Sequence, residues 1–179
     1  MAAALSIFFA VTVSVAPPAA AQASSSLQDV IPSGRVVGQG RLRFWGMDVY
    51  DASLTVAPGF RHGEFASHAF ALQLHYLRAF SAADVARRAL EEMRRVGGFS
   101  DALAQQWQTG LARLLPDIQA GDRVTGVNRP GRGVLFVANG RTLGEFGDAQ
   151  FARLFFSIWL GAQTSEPALR DALLAGTAP

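Results

Sequence analysis

Two side-chain types are missing from this 179-residue chain: it has no cysteine, and all 16 of its basic residues are arginine. Without cysteine there is no disulfide, no thiolate metal site and no thiol nucleophile. Without lysine the protein cannot form a Schiff base with a carbonyl substrate. The net charge of +2 is small and the arginines are scattered, which argues against a nucleic-acid-binding surface despite a pI of 9.9.

A hydrophobic run long enough to span a membrane is also missing. Residues 2–15 are apolar, but a span needs about 20 residues. Small residues ending in Ala21-Gln22-Ala23 follow, which is the A-x-A pattern of a cleavage site. We therefore expect a signal peptide over residues 1–23, export to the periplasm, and no stable membrane span after cleavage. A retained amphipathic anchor is the weaker alternative, because residues 2–15 have no polar face.

The remaining sequence predicts one domain over residues 35–176, preceded by a lead-in over residues 24–34. Its periodicity predicts strands over 36–56, 70–77, 124–127 and 134–143, the last a hairpin with Asn139-Gly140 at its turn. It also predicts helices over 82–96, 100–116 and 151–160 and a last one capped by Ser165. Strands joined by hairpins, with pairs of helices between them, predict an α+β fold: an antiparallel sheet with helices packed on one face.

Catalytic and metal-binding patterns are absent from the sequence. The three histidines are not spaced as metal ligands, so we predict no metal site and no cofactor. Glu91 and Glu92 fall on the polar face of a predicted helix beside four arginines, where surface ion pairs are the usual explanation. Ser165 is explained by its place before the last helix, as a cap rather than a nucleophile.

The segment 40–56, GRLRFWGMDVYDASLTV, is unusual because it carries large apolar side chains at both odd and even positions. Read as one strand, it has a polar face on neither side. Such a strand is either buried between two layers or exposed to a ligand cleft, and the pattern leaves both interpretations open. A bulge at Gly46 would turn Asp48 outward, away from its apolar neighbours.

Five segments resemble, in this order, the chalcone isomerase-like family: GQGRLRFWGMDVYDASL, ALQLHYLRAFSAADVARRALEEMRRVG, GDRVTGV, NGRTLGEF and FFSIWLGAQTSEPALRDALL. The resemblance covers residues 34–174 and is greatest to the secreted bacterial branch. It implies an open-faced sandwich with a ligand cleft between the sheet and the helices. Members of the family include enzymes that cyclise chalcones to flavanones by intramolecular Michael addition. Relatives without that activity bind fatty acids or act as auxiliary proteins.

The positions that carry catalysis in the true isomerases are mostly substituted here. Those that hold a Thr, a Tyr, a Lys and an Asn are matched by Trp45, Ser81, Asp84 and Arg88, and the pair on the C-terminal helix by Ile158-Trp159. Only the arginine that polarises the substrate carbonyl has a counterpart, Arg35, and its register differs by two residues. Since hydrogen-bond donors of this kind supply much of the catalysis, the resemblance implies no efficient chalcone cyclisation.

The favoured hypothesis is a non-catalytic protein that binds a small amphipathic ligand, such as a fatty acid. The predicted site contains Trp45, Met47, Ile158 and Trp159 as an apolar wall, Tyr50 as a hydrogen-bonding group, Arg35 or Arg43 as a carboxylate anchor, and also Ser81 and Arg88. One alternative is an isomerase or intramolecular lyase that acts on an unknown enone with Arg35 as electrophile. The other is a structural or partner-binding module whose cleft is filled by its own side chains.

Overall fold

The fold is given by a computed structural model that describes residues 31–178. The predicted signal peptide over residues 1–23 and most of the predicted lead-in lie outside the described residues. The strands are β1 (Arg35–Phe44), β2 (Met47–Val56), β3 (Phe70–Tyr76), β4 (Arg123–Arg129), β5 (Gly133–Ala138) and β6 (Arg141–Phe146). The α-helices are α1 (Ala82–Val96), α2 (Asp101–Leu114), α3 (Ala149–Leu160) and α4 (Pro167–Leu174), and a 3-10 helix occupies His62–Ser67.

The six strands form one antiparallel sheet in which spatial order follows chain order, from β1 to β6. The helices cover one face: α3 packs against β5 and α1, α2 packs against α1, and α4 lies along β1. The predicted α+β fold, an antiparallel sheet with helices on one face, is therefore confirmed. The main core lies between the two layers, and a smaller cluster of Ile31, Ala71 and Val127 lies on the open face of the sheet.

The helices begin where the sequence provides a side-chain cap. Ser81 precedes α1 and accepts a hydrogen bond from the backbone N–H of Asp84 at 3.1 Å. Asp148 does the same for α3, accepting from the N–H of Phe151 at 2.9 Å. Helix α3 is apolar on nearly all sides because it is buried against both the sheet and α1. None of the helices within residues 31–178 has the length and apolarity needed to cross a membrane.

The segment predicted as one strand over 36–56 is two strands joined by a two-residue turn. Phe44 pairs with Met47, and the turn residues Trp45 and Gly46 have φ angles of +52° and +75°. Positive φ at both turn residues is what a tight hairpin requires, and Asn-Gly is its usual sequence. A tryptophan in the first turn position gives no turn signal, so the alternation of residues 40–44 and 47–56 looks continuous in the sequence.

Candidate functional site

Arg35 does not contribute to the site that was predicted around Tyr50. It begins β1, and its guanidinium donates a hydrogen bond to the carbonyl of Gly176 at 3.0 Å. Tyr50 pairs with Leu42, seven residues further along β1, which is about 23 Å of strand. The two side chains are therefore too far apart to hold one carboxylate, so Arg35 does not anchor a ligand that Tyr50 binds.

Trp45 and Met47 lie at the tip of the hairpin and not in a wall between the layers. Trp45 is 87% exposed and Met47 is also exposed. The physical reason is the turn itself, which carries Trp45 past the end of the sheet. Phe44, the last residue of β1, is 49% exposed, and its ring centroid is 6.3 Å from that of Trp45. The tip therefore presents three large apolar side chains to solvent.

Arg43 lies in an ion-pair network at the hairpin end, with Arg41, Asp48 and Asp51. Its Nε is 2.7 Å from Asp48, while Arg41 bonds both Asp48 at 2.8 Å and Asp51 at 2.6 Å. Strand register shifts between Leu42 and Arg43 because β2 has an extra residue there, and this bulge turns Asp48 outward. The sequence left the orientation of Asp48 open and suggested a bulge at Gly46; the bulge instead lies just before Tyr50, and Gly46 belongs to the turn. The hydrogen bond from Arg43 lowers the pKa of Asp48, and that from Arg41 lowers the pKa of Asp51.

Tyr50 and Trp159 meet between the sheet and α3. The indole Nε1–H of Trp159 donates to the Tyr50 hydroxyl at 2.9 Å, and both side chains are 8% exposed. Desolvation raises the pKa of Tyr50, so the phenol is neutral at ordinary pH. The hydroxyl oxygen accepts from Trp159, but no residue within 31–178 accepts the Tyr50 proton. Ile158, the neighbour of Trp159, is only partly buried against the core.

A second tyrosine, which the sequence interpretation missed, lies directly beside Tyr50. Tyr76 of β3 is the strand partner of Tyr50, and their rings pack edge to face with centroids 5.7 Å apart. Tyr76 is 6% exposed, burial raises its pKa, and its hydroxyl makes no hydrogen bond to another described residue. These are the only two tyrosines of the chain. The signal that could have found Tyr76 was its shared phase with Leu72 and Leu74 on the core face of β3.

The polar face of α1 holds a buried carboxylate where surface ion pairs were predicted. Glu92 is buried, and its carboxylate lies 2.6 Å from Arg88 and 3.6 Å from Arg95. Ser165 donates its hydroxyl to the same carboxylate at 2.8 Å. The prediction that Ser165 caps the last helix is therefore wrong: Glu166 takes the N-cap position of α4, and Ser165 instead ties the loop before α4 to α1.

The first hairpin also contacts α1, but through exposed side chains and without a hydrogen bond like the one between Tyr50 and Trp159. The guanidinium of Arg88 lies 5.8 Å from the centroid of the Phe44 ring, and both side chains are largely exposed. Leu42, Phe80 and Val85 pack against the core here but are only partly buried. Ser81, which was predicted as a site residue, is accounted for as the cap of α1. We call the set Leu42, Phe44, Tyr50, Tyr76, Arg88 and Trp159 the interlayer site.

The two phenols of the interlayer site are hydrogen-bond donors and not bases, because burial raises the pKa of each. The nearby carboxylate of Glu92 is held by two arginines and a serine. No three potential metal ligands come together in the described part of the chain. The arrangement is suited to an apolar molecule with a hydrogen-bond acceptor at one end.

Comparison with known proteins agrees with this architecture. The chain matches the family described as chalcone isomerase-like over residues 37–175. It is similar in structure to a fatty-acid binding protein of Arabidopsis thaliana, with a TM-score of 0.62 and 16% identity over 80% of this chain and 87% of that one. No curated protein sequence matches it significantly. Because the family match covers most of the sequence and the fold agrees, the chain belongs to the chalcone isomerase-like family.

Proposed function

We propose that this protein binds a small amphipathic carboxylic acid, such as a fatty acid, at the interlayer site and does not transform it chemically. The observation that carries the proposal is the pair of tyrosines on adjacent strands, whose rings are buried between the layers. Neither hydroxyl proton has an acceptor within residues 31–178. The Tyr50 hydroxyl has Trp159 as its one partner, and the Tyr76 hydroxyl is not among the fully enclosed polar atoms that lack a partner in residues 31–178, so a ligand oxygen can reach it. A ligand oxygen that accepts from Tyr50 and Tyr76 would give both hydroxyl protons an acceptor in largely apolar surroundings, where a hydrogen bond contributes about 1 kcal/mol.

The surroundings of the two hydroxyls favour an acyl chain with an acidic head group. Leu42, Phe44 and Phe80 offer apolar surface that is only partly covered. Arg88 lies at the edge of this surface; its guanidinium is paired with Glu92 at 2.6 Å and with Glu91 at 3.4 Å, and its remaining N–H donors can bind a ligand carboxylate. The fatty-acid binding protein named above has the same fold, which supports this ligand class. Contact between Tyr50 and Trp159 limits the depth of the ligand, so we expect it to enter beside Phe44.

The state of the tyrosines favours binding over catalysis. A phenol whose pKa is raised by burial is a hydrogen-bond donor and not a base. The proposal includes secretion to the periplasm, which rests on the sequence of residues 1–23 alone.

The experiment compares dodecanoic acid with its methyl ester by isothermal titration calorimetry, using the purified protein and two variants. Tyr76→Phe removes a hydroxyl that has no partner in the described structure, so the variant should fold with unchanged stability. We expect it to weaken binding of both ligands, by about tenfold for the acid, because both lose one hydrogen bond. Arg88→Gln should weaken binding of the acid by a similar factor and leave the ester unchanged, because only the acid carries a charge.

Two control variants separate the site from general effects. Thr125→Val removes a buried hydroxyl from the open face of the sheet, and Arg113→Gln removes an exposed arginine from α2. Neither should change the affinity for either ligand. Equal binding by wild type and Tyr76→Phe would overturn the role of the tyrosines. No binding of either ligand by wild type would favour the module with a filled cleft, and turnover of an enone would favour the isomerase.

A further inference from the structure

The tip of the first hairpin carries a large apolar residue, Trp45, that contributes little to the packing of the fold. Trp45 is 87% exposed and has a φ of +52°, a left-handed conformation that costs a residue other than Gly, Asn or Asp about 1–2 kcal/mol. Its one aromatic neighbour is Phe44, itself half exposed. A side chain that is both strained and exposed points to a function outside the fold.

Beside the tip, the open side of the hairpin forms a depression rich in arginine. It has a volume of about 690 Å³ and is lined by Arg41, Arg43, Gly46, Asp48, Leu77 and Arg78. Arg43 uses only its Nε for Asp48, which leaves four N–H donors, and Arg78 makes no ion pair with any described carboxylate. Arg41 is already paired with Asp48 and Asp51, but Arg43 and Arg78 still have free N–H donors, and three guanidinium groups against two carboxylates leave one net positive charge that favours an oxyanion.

We propose that this end of the molecule docks on the surface of a bilayer that contains anionic phospholipid. Phe44, Trp45 and Met47 enter the interfacial region, where tryptophan is favoured, while Arg43 and Arg78 bind headgroup phosphates. A stable protein–protein interface buries about 800 Å² of surface on each partner, which is more than three projecting side chains offer. The interfacial region of a bilayer can instead surround each side chain separately. The proposal rests on the tip and the depression alone and does not require a ligand at the interlayer site.

The test is sedimentation of the purified protein with vesicles of phosphatidylcholine, alone or mixed with an equal part of phosphatidylglycerol. We expect binding to the mixed vesicles, little binding to phosphatidylcholine alone, and a blue shift of tryptophan fluorescence. Trp107 and Trp159 are buried, so the shift reports on Trp45. Trp45→Asn should reduce the bound fraction by about tenfold or more because an aromatic anchor is lost. Arg78→Gln should weaken binding about fivefold, and added salt should weaken it further.

The control variants are Val36→Ala, which shortens another exposed apolar side chain far from the tip, and Arg113→Gln. Both should bind as wild type does. Trp45→Asn keeps the turn chemistry, since asparagine tolerates the left-handed conformation, so loss of vesicle binding by a folded variant supports the proposal. Equal binding by wild type and Trp45→Asn would overturn it. Absence of binding to mixed vesicles would also overturn it and would direct the search to a protein partner for the tip.

Discussion

Two hairpins of this sheet have positive φ angles at both turn residues, but the side chain of the first turn residue bonds to the fold in one hairpin and is exposed to solvent in the other. The turn between β1 and β2 is Trp45-Gly46, with φ angles of +52° and +75°, and the turn between β5 and β6 is Asn139-Gly140, with φ angles of +48° and +80°. The side chain of Asn139 makes two hydrogen bonds. Its Oδ1 accepts from the backbone N–H of Arg123 at 2.8 Å, and its Nδ2 donates to the carboxylate of Asp122 at 2.9 Å. Trp45 makes no hydrogen bond through its side chain to any described residue. One turn stabilises the fold, and the other presents a side chain to the surroundings.

The largest expected effect tests this contrast directly. Asn139→Ala removes two hydrogen bonds and places a residue with a poorer left-handed propensity in the turn, so it should lower the free energy of unfolding by about 2 kcal/mol. Trp45→Ala should change it by less than about 0.5 kcal/mol. Urea unfolding followed by circular dichroism measures both. The contrast fails if the two substitutions have equal effects.

The interlayer site should exclude water, in contrast to the solvent-exposed tip of the first hairpin. Both tyrosines are buried with a raised pKa, so the folded state disfavours their ionisation. Their contribution to stability is complete below the unfolded pKa of about 10 and is lost as pH rises above it. We expect no tyrosinate absorbance near 295 nm until the protein unfolds in alkali, where both residues ionise together. Ionisation of one tyrosine at its ordinary pKa in the folded protein would show that the interlayer site is solvated.

Replacing Trp45 by asparagine, the residue at the same position of the other turn, should raise the free energy of unfolding slightly, whereas Asn139→Ala lowers it. Trp45→Asn relieves the left-handed strain and loses only the contact with Phe44, so we expect a gain of about 0.5 kcal/mol. The same variant should lose most of the acrylamide quenching of tryptophan fluorescence, because the other two indoles are buried. A loss of more than about 1 kcal/mol would show that Trp45 supports the fold.

The smallest effect concerns the charges of the first hairpin. Because the pKa values of Asp48 and Asp51 are lowered in the folded state, their ion pairs stabilise it above the unfolded pKa of about 4 and are lost as pH falls through the folded values. Carboxyl resonances measured by NMR should therefore titrate at low pH. In Arg43→Gln the pKa of Asp48 should rise while that of Asp51, held by Arg41, stays low. A rise at Asp51 as large as that at Asp48 would contradict the assignment of Arg41 as the partner of Asp51.

The same two turns explain what the sequence could and could not predict. The Asn139-Gly140 hairpin, the Ser81 cap and the bounds of α1 were predicted correctly because each follows from local backbone chemistry. The first hairpin was predicted as one strand because tryptophan is not a usual turn residue, so the sequence gives no sign of the positive φ angles at Trp45 and Gly46. The fold class was still predicted correctly, because it depends on the order of strands and helices and not on whether residues 36–56 form one strand or two.

The site was harder to predict because it depends on contacts between distant segments. Tyr50 and Trp159 were named, but their contact joins β2 to α3 across 109 residues. The burial of Glu92 depends on Ser165, which is equally remote in sequence and which local reasoning assigned as a cap. The phase of Tyr76 indicated a core position, but its place beside Tyr50 became known only with the register of β2 and β3. Periodicity tells which face a residue occupies, but not which residue lies opposite.

Native mass spectrometry of the protein, purified without detergent and then mixed with dodecanoic acid, tests the central claim most directly. The account predicts one bound acid per chain, and a bound fraction that falls sharply in Tyr76→Phe although that variant is as stable as wild type. A wild-type chain that stays free of the acid, or a Tyr76→Phe chain that binds it equally well, would contradict the claim that the two tyrosine hydroxyls hold a ligand.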